Sequence, residues 1–94
     1  MFDMKAYCVS YDLKAPNRDY TRLYGELKKS RHWWHYLEST WLIVTDESPA
    51  ELWERYAPHI DQNDRLLIIE VRDNVKGWLT KKAWDWIHSN VPSP

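Results

Sequence analysis

Two different periods of apolar residues follow each other along this chain, and their order constrains the fold more than any other feature. Alternation over Lys5–Asp12 predicts a strand with Tyr7, Val9 and Tyr11 on one face. Apolar residues spaced by three and four positions over 20–27 then predict a helix with one buried side. The chain therefore begins as a strand followed by a helix.

The middle of the chain carries two further strand signals. Positions 32–38 are rich in aromatic residues, and positions 41–45 form a β-branched apolar run. The two predicted strands meet near positions 38–40, where neither Gly nor Pro marks a turn. A β-bulge is therefore one way to join them.

The start of the second helix is the strongest local signal in the sequence. Ser48 is a typical N-cap, Pro49 suits the first helical position, and Glu51 completes a capping box. The apolar side of this helix is predicted to comprise Leu52, Trp53, Tyr56 and Ala57. Pro58 is expected to end it.

A fourth strand and a short last helix complete the pattern. The strand covers positions 65–71, and its centre is apolar on both faces. Thr80 is a suitable N-cap for the last helix, which has Ala83, Trp84 and Ile87 on one side. Residues 1–90 are then one domain, and 91–94 are predicted to be a flexible tail.

The order β-α-β-β-α-β, followed by a helix, predicts an α+β fold. With right-handed crossovers it gives a ferredoxin-like antiparallel sheet with two helices on one face, plus the short C-terminal helix. The apolar fourth strand would lie at an edge, where it is a template for other chains. Seven Trp in 94 residues also exceed what a small core can hold. We therefore expect a homodimer.

Composition excludes several classes of protein. No apolar run approaches the roughly 18 residues of a membrane span, and the first residues do not resemble a signal peptide. We therefore expect a cytoplasmic protein with no membrane partner. A net charge of −1 argues against coating nucleic acid by bulk electrostatics. The single Cys8 cannot form an internal disulfide and is expected to be a buried, inert thiol.

Three segments resemble a known family. The first strand ends in Val-Ser-Tyr-Asp-Leu at positions 9–13, which is similar to the opening of the small CRISPR-associated Cas two proteins. Ser-Thr-Trp at 39–41 and Ile-Asp-Gln-Asn-Asp-Arg-Leu at 60–66 are similar to that family's central hairpin and to the loop before its fourth strand. The resemblance covers residues 4–71.

A closer resemblance is to the SinR-like proteins, relatives of Cas two and of the VapD toxins. They share a Tyr-Asp-Leu opening like positions 11–13, a Leu-Glu-Ser-Thr-Trp segment like 37–41 and a Pro-His-x-Asp stretch like 58–61. The chain differs from Cas two at Leu37, where Gln is common, and over 73–90, which is Trp-rich and helical instead of a fifth strand.

The resemblance implies a homodimer in which Asp12 faces its mate across a cleft. In members that are nucleases this pair is assigned to a divalent metal, such as Mg²⁺, and to phosphodiester cleavage. The implied function is a metal-dependent endonuclease acting on RNA or DNA in phage defence or a toxin–antitoxin system. The alternative is a non-catalytic dimeric scaffold in a defence complex that contains nucleic acid.

Individual residues allow chemical and structural interpretations. Asp12 can be a metal ligand, or an exposed strand-end Asp that starts the next loop. His35 can be a general acid or base because imidazole titrates near neutral pH, or a half-exposed strand residue. His32 lies three positions away, so the two imidazoles point to opposite faces and do not share a metal.

Basic side chains suggest candidate contacts to nucleic acid. The candidates are Lys14, Arg18, Lys28, Lys29 and Arg31. Basic residues also adjoin Trp33 and Trp34, and others surround Trp78 and Trp84. Such clusters can hold phosphates and stack bases, or the indoles can lie in a core or dimer interface under lysine stems.

Overall fold

A computed structural model describes residues 4–15 and 19–94 as four strands and three α-helices. The elements are β1 (Lys5–Asp12), α1 (Thr21–Lys28), β2 (His32–Leu37), β3 (Thr40–Thr45), α2 (Pro49–Tyr56), a 3₁₀ turn (Ala57–His59), β4 (Arg65–Val71) and α3 (Lys81–Asn90). The strands form one antiparallel sheet in the order β2-β3-β1-β4. The prediction of a small α+β fold with a four-stranded antiparallel sheet is confirmed.

Helices α1 and α2 cover one face of the sheet, which we call the first face. Alternation along β1 directs Tyr7, Val9 and Tyr11 to this face, where all three are buried. Both helices contribute buried side chains to the same cluster, together with residues of β3: Leu23, Leu27, Leu52, Tyr56, Trp41 and Ile43. Burying each of these side chains stabilises the fold by about 1.5–3 kcal/mol.

The apolar side of α2 is narrower than predicted. Leu52 and Tyr56 are buried, but Trp53 is 44% exposed, so its placement in the apolar stripe is wrong. The helix ends at Tyr56 and continues as the 3₁₀ turn that contains Pro58. Pro58, which has no backbone N–H, is tolerated there because the first residues of a helical turn do not donate a hydrogen bond within it.

Side-chain caps mark the starts of α2 and α3 as predicted. Ser48 Oγ accepts the Glu51 N–H at 3.2 Å, and Glu51 Oε1 accepts the Ser48 N–H at 3.0 Å. Thr80 Oγ1 accepts the Ala83 N–H at 3.2 Å. The N-cap of α1 is Tyr20, which makes no side-chain capping bond, and Asp19 Oδ1 accepts the Thr21 N–H at 2.9 Å.

Helix α3 lies on the opposite, second face of the sheet and covers only part of it. Ala83 and Ile87 belong to a buried cluster with Ala6, Trp34 and Val44, and Trp34 Nε1 donates to the Ala83 carbonyl at 3.2 Å. The remaining part of this face is open: Leu67 and Ile69 of β4 are 58% and 50% exposed. Within the described ranges, no helix is long and apolar enough to cross a bilayer.

The first residues after α3 contact the rest of the fold, and the flexible tail predicted for 91–94 stays a prediction. Val91 is buried in the same cluster as Ile87, and the Pro92 carbonyl accepts the Asp73 N–H at 2.7 Å. Proline prevents a helix from continuing, but it leaves its carbonyl available as an acceptor and its neighbour available for burial.

The hairpin of β2 and β3 contains a shift in strand register, as the sequence analysis allowed. Trp34 pairs with Leu42 and Leu37 with Thr40, so β2 carries one more residue than β3 between these pairs. The His35 ring stacks on Trp41 on the first face, whereas Leu37 shares a face with its partner Thr40 on the second.

Candidate functional site

Asp12 occupies the last position of β1, between two surface depressions. One depression, of about 300 Å³, is shared with β4 and is lined by Ser10, Tyr11, Arg65, Leu66 and Leu67. The other, of about 390 Å³, opens toward α1 and the β2–β3 turn and is lined by Tyr11, Leu13, Ala15, Tyr20, Tyr24, Glu38 and Ser39. Asp12 is therefore accessible from two sides.

The Asp12 carboxylate is exposed and takes part in one weak ion pair. Lys14 Nζ lies 3.4 Å from Asp12 Oδ2, and both side chains are exposed. An ion pair of this kind contributes little because water screens it. Across residues 4–15 and 19–94, no backbone N–H donates to this carboxylate, so Asp12 does not cap its loop. Its oxygens remain able to accept a further cation.

A buried carboxylate fixes the loop that follows Asp12. Asp64, next to the start of β4, accepts the N–H groups of Lys14 and Asp61, each at 2.7 Å. The Tyr20 hydroxyl lies 2.7 and 2.8 Å from its two oxygens. Hydrogen bonds to an ionised acceptor are among the stronger ones in proteins. Asp64 therefore ties the loop after β1 to the entrance of β4.

An aromatic array supports the β2–β3 turn beside Asp12. Trp41 Nε1 donates to the Tyr11 hydroxyl at 3.0 Å, and that hydroxyl donates to the Glu38 carbonyl at 3.3 Å. The Tyr24 ring stacks on Trp41 with centroids 6.1 Å apart. Burial raises the pKa of the Tyr11 phenol above its ordinary value, so it stays protonated and serves as a fixed donor.

His35 and Asp12, the two predicted catalytic residues, lie on different faces of the sheet. The His35 ring stacks on Trp41 at 3.9 Å between centroids, and its Nε2 lies 3.0 Å from the Glu38 carbonyl. Asp12 shares the second face with Ser10 and Ala6 through the alternation of β1. Within one protomer, His35 therefore does not line either depression beside Asp12.

The predicted nucleic-acid contacts divide between two ends of the sheet. Lys14 lies beside Asp12, whereas the other described candidates, Lys28, Lys29 and Arg31, lie between α1 and the start of β2. Lys28 Nζ sits 5.3 Å from the centre of the Trp33 ring. Lys29 pairs with Glu26 at 2.6 Å, and Arg31 is exposed. Arg18 lies outside the described residues.

One protomer supplies few ligands for a metal ion. Among the residues that the structure describes, no group of three or more His, Cys, Asp or Glu side chains is placed to hold one. Mg²⁺ is usually bound by one or two carboxylates together with water. Asp12 fits that requirement as an exposed hard-oxygen donor, and Glu38 lines one of the two depressions beside it.

No protein-family model matches the chain, and no solved structure matches it. The likeness to Cas two and VapD therefore depends on the three sequence segments that carry it.

Proposed function

We propose that this chain is a homodimeric, metal-dependent endonuclease of the Cas two and VapD kind, with Asp12 as its metal ligand. The observation that carries the proposal is the state of Asp12: it is exposed at the end of β1, between two depressions, and no backbone amide of residues 4–15 or 19–94 holds it. An aspartate that served only to start its loop would be expected to accept such amides.

The arrangement of elements supports the same proposal. A sheet ordered β2-β3-β1-β4, with all neighbours antiparallel and α1 and α2 on one face, is what a ferredoxin-like fold requires. In such a fold the end of β1 is central in the sheet. Asp12 can then approach a two-fold axis without the edges of the sheet obstructing it.

The chemistry of the proposed site needs little from each protomer. Two Asp12 carboxylates, one from each protomer, would hold the divalent ion, which would make a bound water more acidic and neutralise charge on the phosphate under attack. Lys14, 3.4 Å from Asp12, can bind the phosphate of the substrate strand once the carboxylate has another partner. Asp64 keeps the backbone of Lys14 in place through its 2.7 Å hydrogen bond.

Asp12→Asn tests the proposal directly. The substitution keeps the side-chain size but removes one negative charge from each subunit, so metal binding and cleavage of RNA or DNA should fall to background. Chelation of Mg²⁺ should have the same effect on the wild type. Asp85→Asn is the matched control, because Asp85 is an exposed aspartate on α3 that pairs with Lys81. Its cleavage should equal that of the wild type.

The proposal is rejected if the wild type cleaves neither RNA nor DNA with Mg²⁺ or Mn²⁺ and its melting temperature does not respond to these ions. A second candidate function is then favoured by the pairing of Asp12 with Lys14 within one protomer: a non-catalytic dimeric scaffold. In that case two facing carboxylates only repel each other, and Asp12→Asn should raise the melting temperature of the dimer.

A further inference from the structure

Trp33 forms an accessible aromatic surface at one edge of the sheet. It lies in the edge strand β2 and is 41% exposed, whereas the next residue, Trp34, is buried. The Trp33 indole contacts Trp41 with ring centroids 5.5 Å apart, which places it on the first face but outside the buried cluster. A ligand can therefore reach this indole from solvent.

His35 extends the aromatic surface along the same strand. Its imidazole stacks on Trp41 with centroids 3.9 Å apart, and His35 is also exposed. Residues two positions apart on a strand share a face and lie about 6.5–7 Å from each other. Trp33 and His35 are thus two exposed rings in one row, both packed against the buried Trp41. Rows of exposed rings stack successive bases of single-stranded nucleic acids.

Two cations without an acidic partner lie beside this row. Lys28 Nζ is 5.3 Å from the centre of the Trp33 ring, and Arg31, two positions before Trp33, is exposed. Across residues 4–15 and 19–94, no carboxylate forms an ion pair with Lys28 or Arg31. Glu26, on the same helix as Lys28, is paired with Arg55 instead. Both cations therefore remain able to bind an anion.

Lys28 can leave the indole when a base arrives there. A base stacked on an aromatic side chain contributes more than a solvent-exposed cation–π contact does. The Lys28 ammonium can then bind the phosphate next to that base, and the planar guanidinium of Arg31 can bind another phosphate. Trp33, Lys28 and Arg31 thus supply the two requirements for holding a single strand, which are stacking and positive charge.

The shape of β2 argues against a peptide strand as the partner. The register shift after Trp34 adds a residue to β2, and such a bulge interrupts the row of backbone donors and acceptors that an added strand would need. An acidic peptide would also use the charges of Lys28 and Arg31 without using the ring faces. A single-stranded nucleic acid uses both.

We propose that this edge of the sheet binds single-stranded nucleic acid, with a base stacked on Trp33 and phosphates on Lys28 and Arg31. His35 offers a second ring to the neighbouring base. A duplex fits less well, because its paired bases stack on one another and leave no face for the indole. This surface requires no metal ion, so binding there is independent of cleavage at Asp12.

Fluorescence anisotropy of labelled oligothymidylate and oligouridylate tests the stacking role of Trp33. With EDTA present to prevent cleavage and at low salt, Trp33→Ala should weaken binding at least about fivefold. Trp33→Phe, which keeps a ring, should retain most of the affinity. Trp53→Ala is the matched control and should bind as the wild type does, because Trp53 of α2 is similarly exposed, at 44%.

Lys28→Gln tests the charge separately, at an exposed position where the fold should not be affected. Removing one phosphate contact should reduce the slope of log affinity against log salt concentration by about 0.7. Lys82→Gln removes the same charge from an exposed position of α3 and should leave the slope unchanged. Circular dichroism should show all variants folded.

The inference is overturned if the wild type binds neither oligonucleotide, or if Trp33→Ala and Lys28→Gln both bind as the wild type does. A labelled acidic peptide that binds more tightly than the oligonucleotides would also overturn it, in favour of a protein partner. Asp12→Asn should bind like the wild type, so the two proposals fail separately. A protein that binds through Trp33 but cleaves nothing supports this inference and rejects the nuclease.

Discussion

The two faces of the sheet are covered very differently. On the first face, α1 and α2 bury Trp41, Tyr7 and Leu52 almost completely. On the second face a single helix of ten residues, α3, covers the end near Ala6 and leaves Leu67 and Ile69 exposed. Two helices on the first face and one on the second accompany this difference in burial.

On the first face, charged side chains also join the two helices to each other. Arg55 of α2 donates to Glu26 of α1 at 2.9 Å and to Glu47, before α2, at 2.8 Å. This bridge of three charged side chains, each at most a quarter exposed, links the helices of the first face. Stability should therefore come mainly from the first face, and association from the second.

The largest effect should separate two leucines that lie on opposite faces. Leu52→Ala removes a fully buried side chain of α2 and should lower the free energy of unfolding by about 2–5 kcal/mol. Leu67→Ala shortens a side chain that is 58% exposed, and should change the free energy of unfolding of the monomer by less than about 0.5 kcal/mol. Urea unfolding at low protein concentration measures both. Equal losses would remove the distinction between the faces.

An intermediate effect is expected at the Arg55 bridge. Arg55→Gln removes the cation that Glu26 and Glu47 share and should lower the free energy of unfolding by about 1.5–3 kcal/mol. Hydrogen bonds from Arg55 lower the pKa of Glu47. The pKa of Glu26 is lowered by its hydrogen bond from Lys29 and then by that from Arg55. Urea unfolding of the wild type and Arg55→Gln at pH 7 measures the difference.

The sign of the pH dependence follows from those directions. A carboxyl group with a lowered pKa in the folded state stabilises the fold above its unfolded pKa, about 4.3, and loses that contribution as the pH falls through the folded value. The wild type should therefore lose stability below about pH 4.3, and Arg55→Gln should lose less over the same range. Unfolding curves that shift in parallel would contradict this role for Arg55.

The smallest effect should distinguish the caps of the two faces. Ser48 takes part in two capping hydrogen bonds on α2, and Thr80 makes one on α3. Ser48→Ala should cost about 0.5–2 kcal/mol, and Thr80→Ala should lie at the lower end of that range. Thermal unfolding of both variants measures the difference. An unchanged melting temperature for Ser48→Ala would argue against the capping box as a source of stability.

Local signals in the sequence were sufficient for most of the elements. The caps at Ser48 and Thr80 and the alternation of β1 depend on neighbours within a few positions, and all three are present in the structure. Trp53 was predicted wrongly, and the burial of Val91 was not predicted, for the opposite reason. Helical spacing does not reveal how wide a face the sheet covers, and two prolines do not reveal that the Val91 side chain is buried.

The candidate site was predictable only in part. The position of Asp12 at the exposed end of β1 follows from alternation and from the loop that comes next. The role of Asp64 could not be read from the sequence, because its donors at Lys14 and Tyr20 lie far away in the chain. The sequence signal for this role was the Asp-Gln-Asn-Asp turn that contains Asp64, whose two acidic residues are three positions apart.

The position of β1 between β3 and β4 has a consequence for how the chain folds during synthesis. β1 is synthesised before both of its hydrogen-bonding neighbours, β3 and β4, and Lys14 reaches Asp64 across 50 positions. Closing such long loops is slow, so the nascent chain exposes Tyr7, Val9 and Tyr11 until β3 and then β4 arrive. The strand that carries Asp12 is therefore the part of the nascent protein most in need of protection from aggregation.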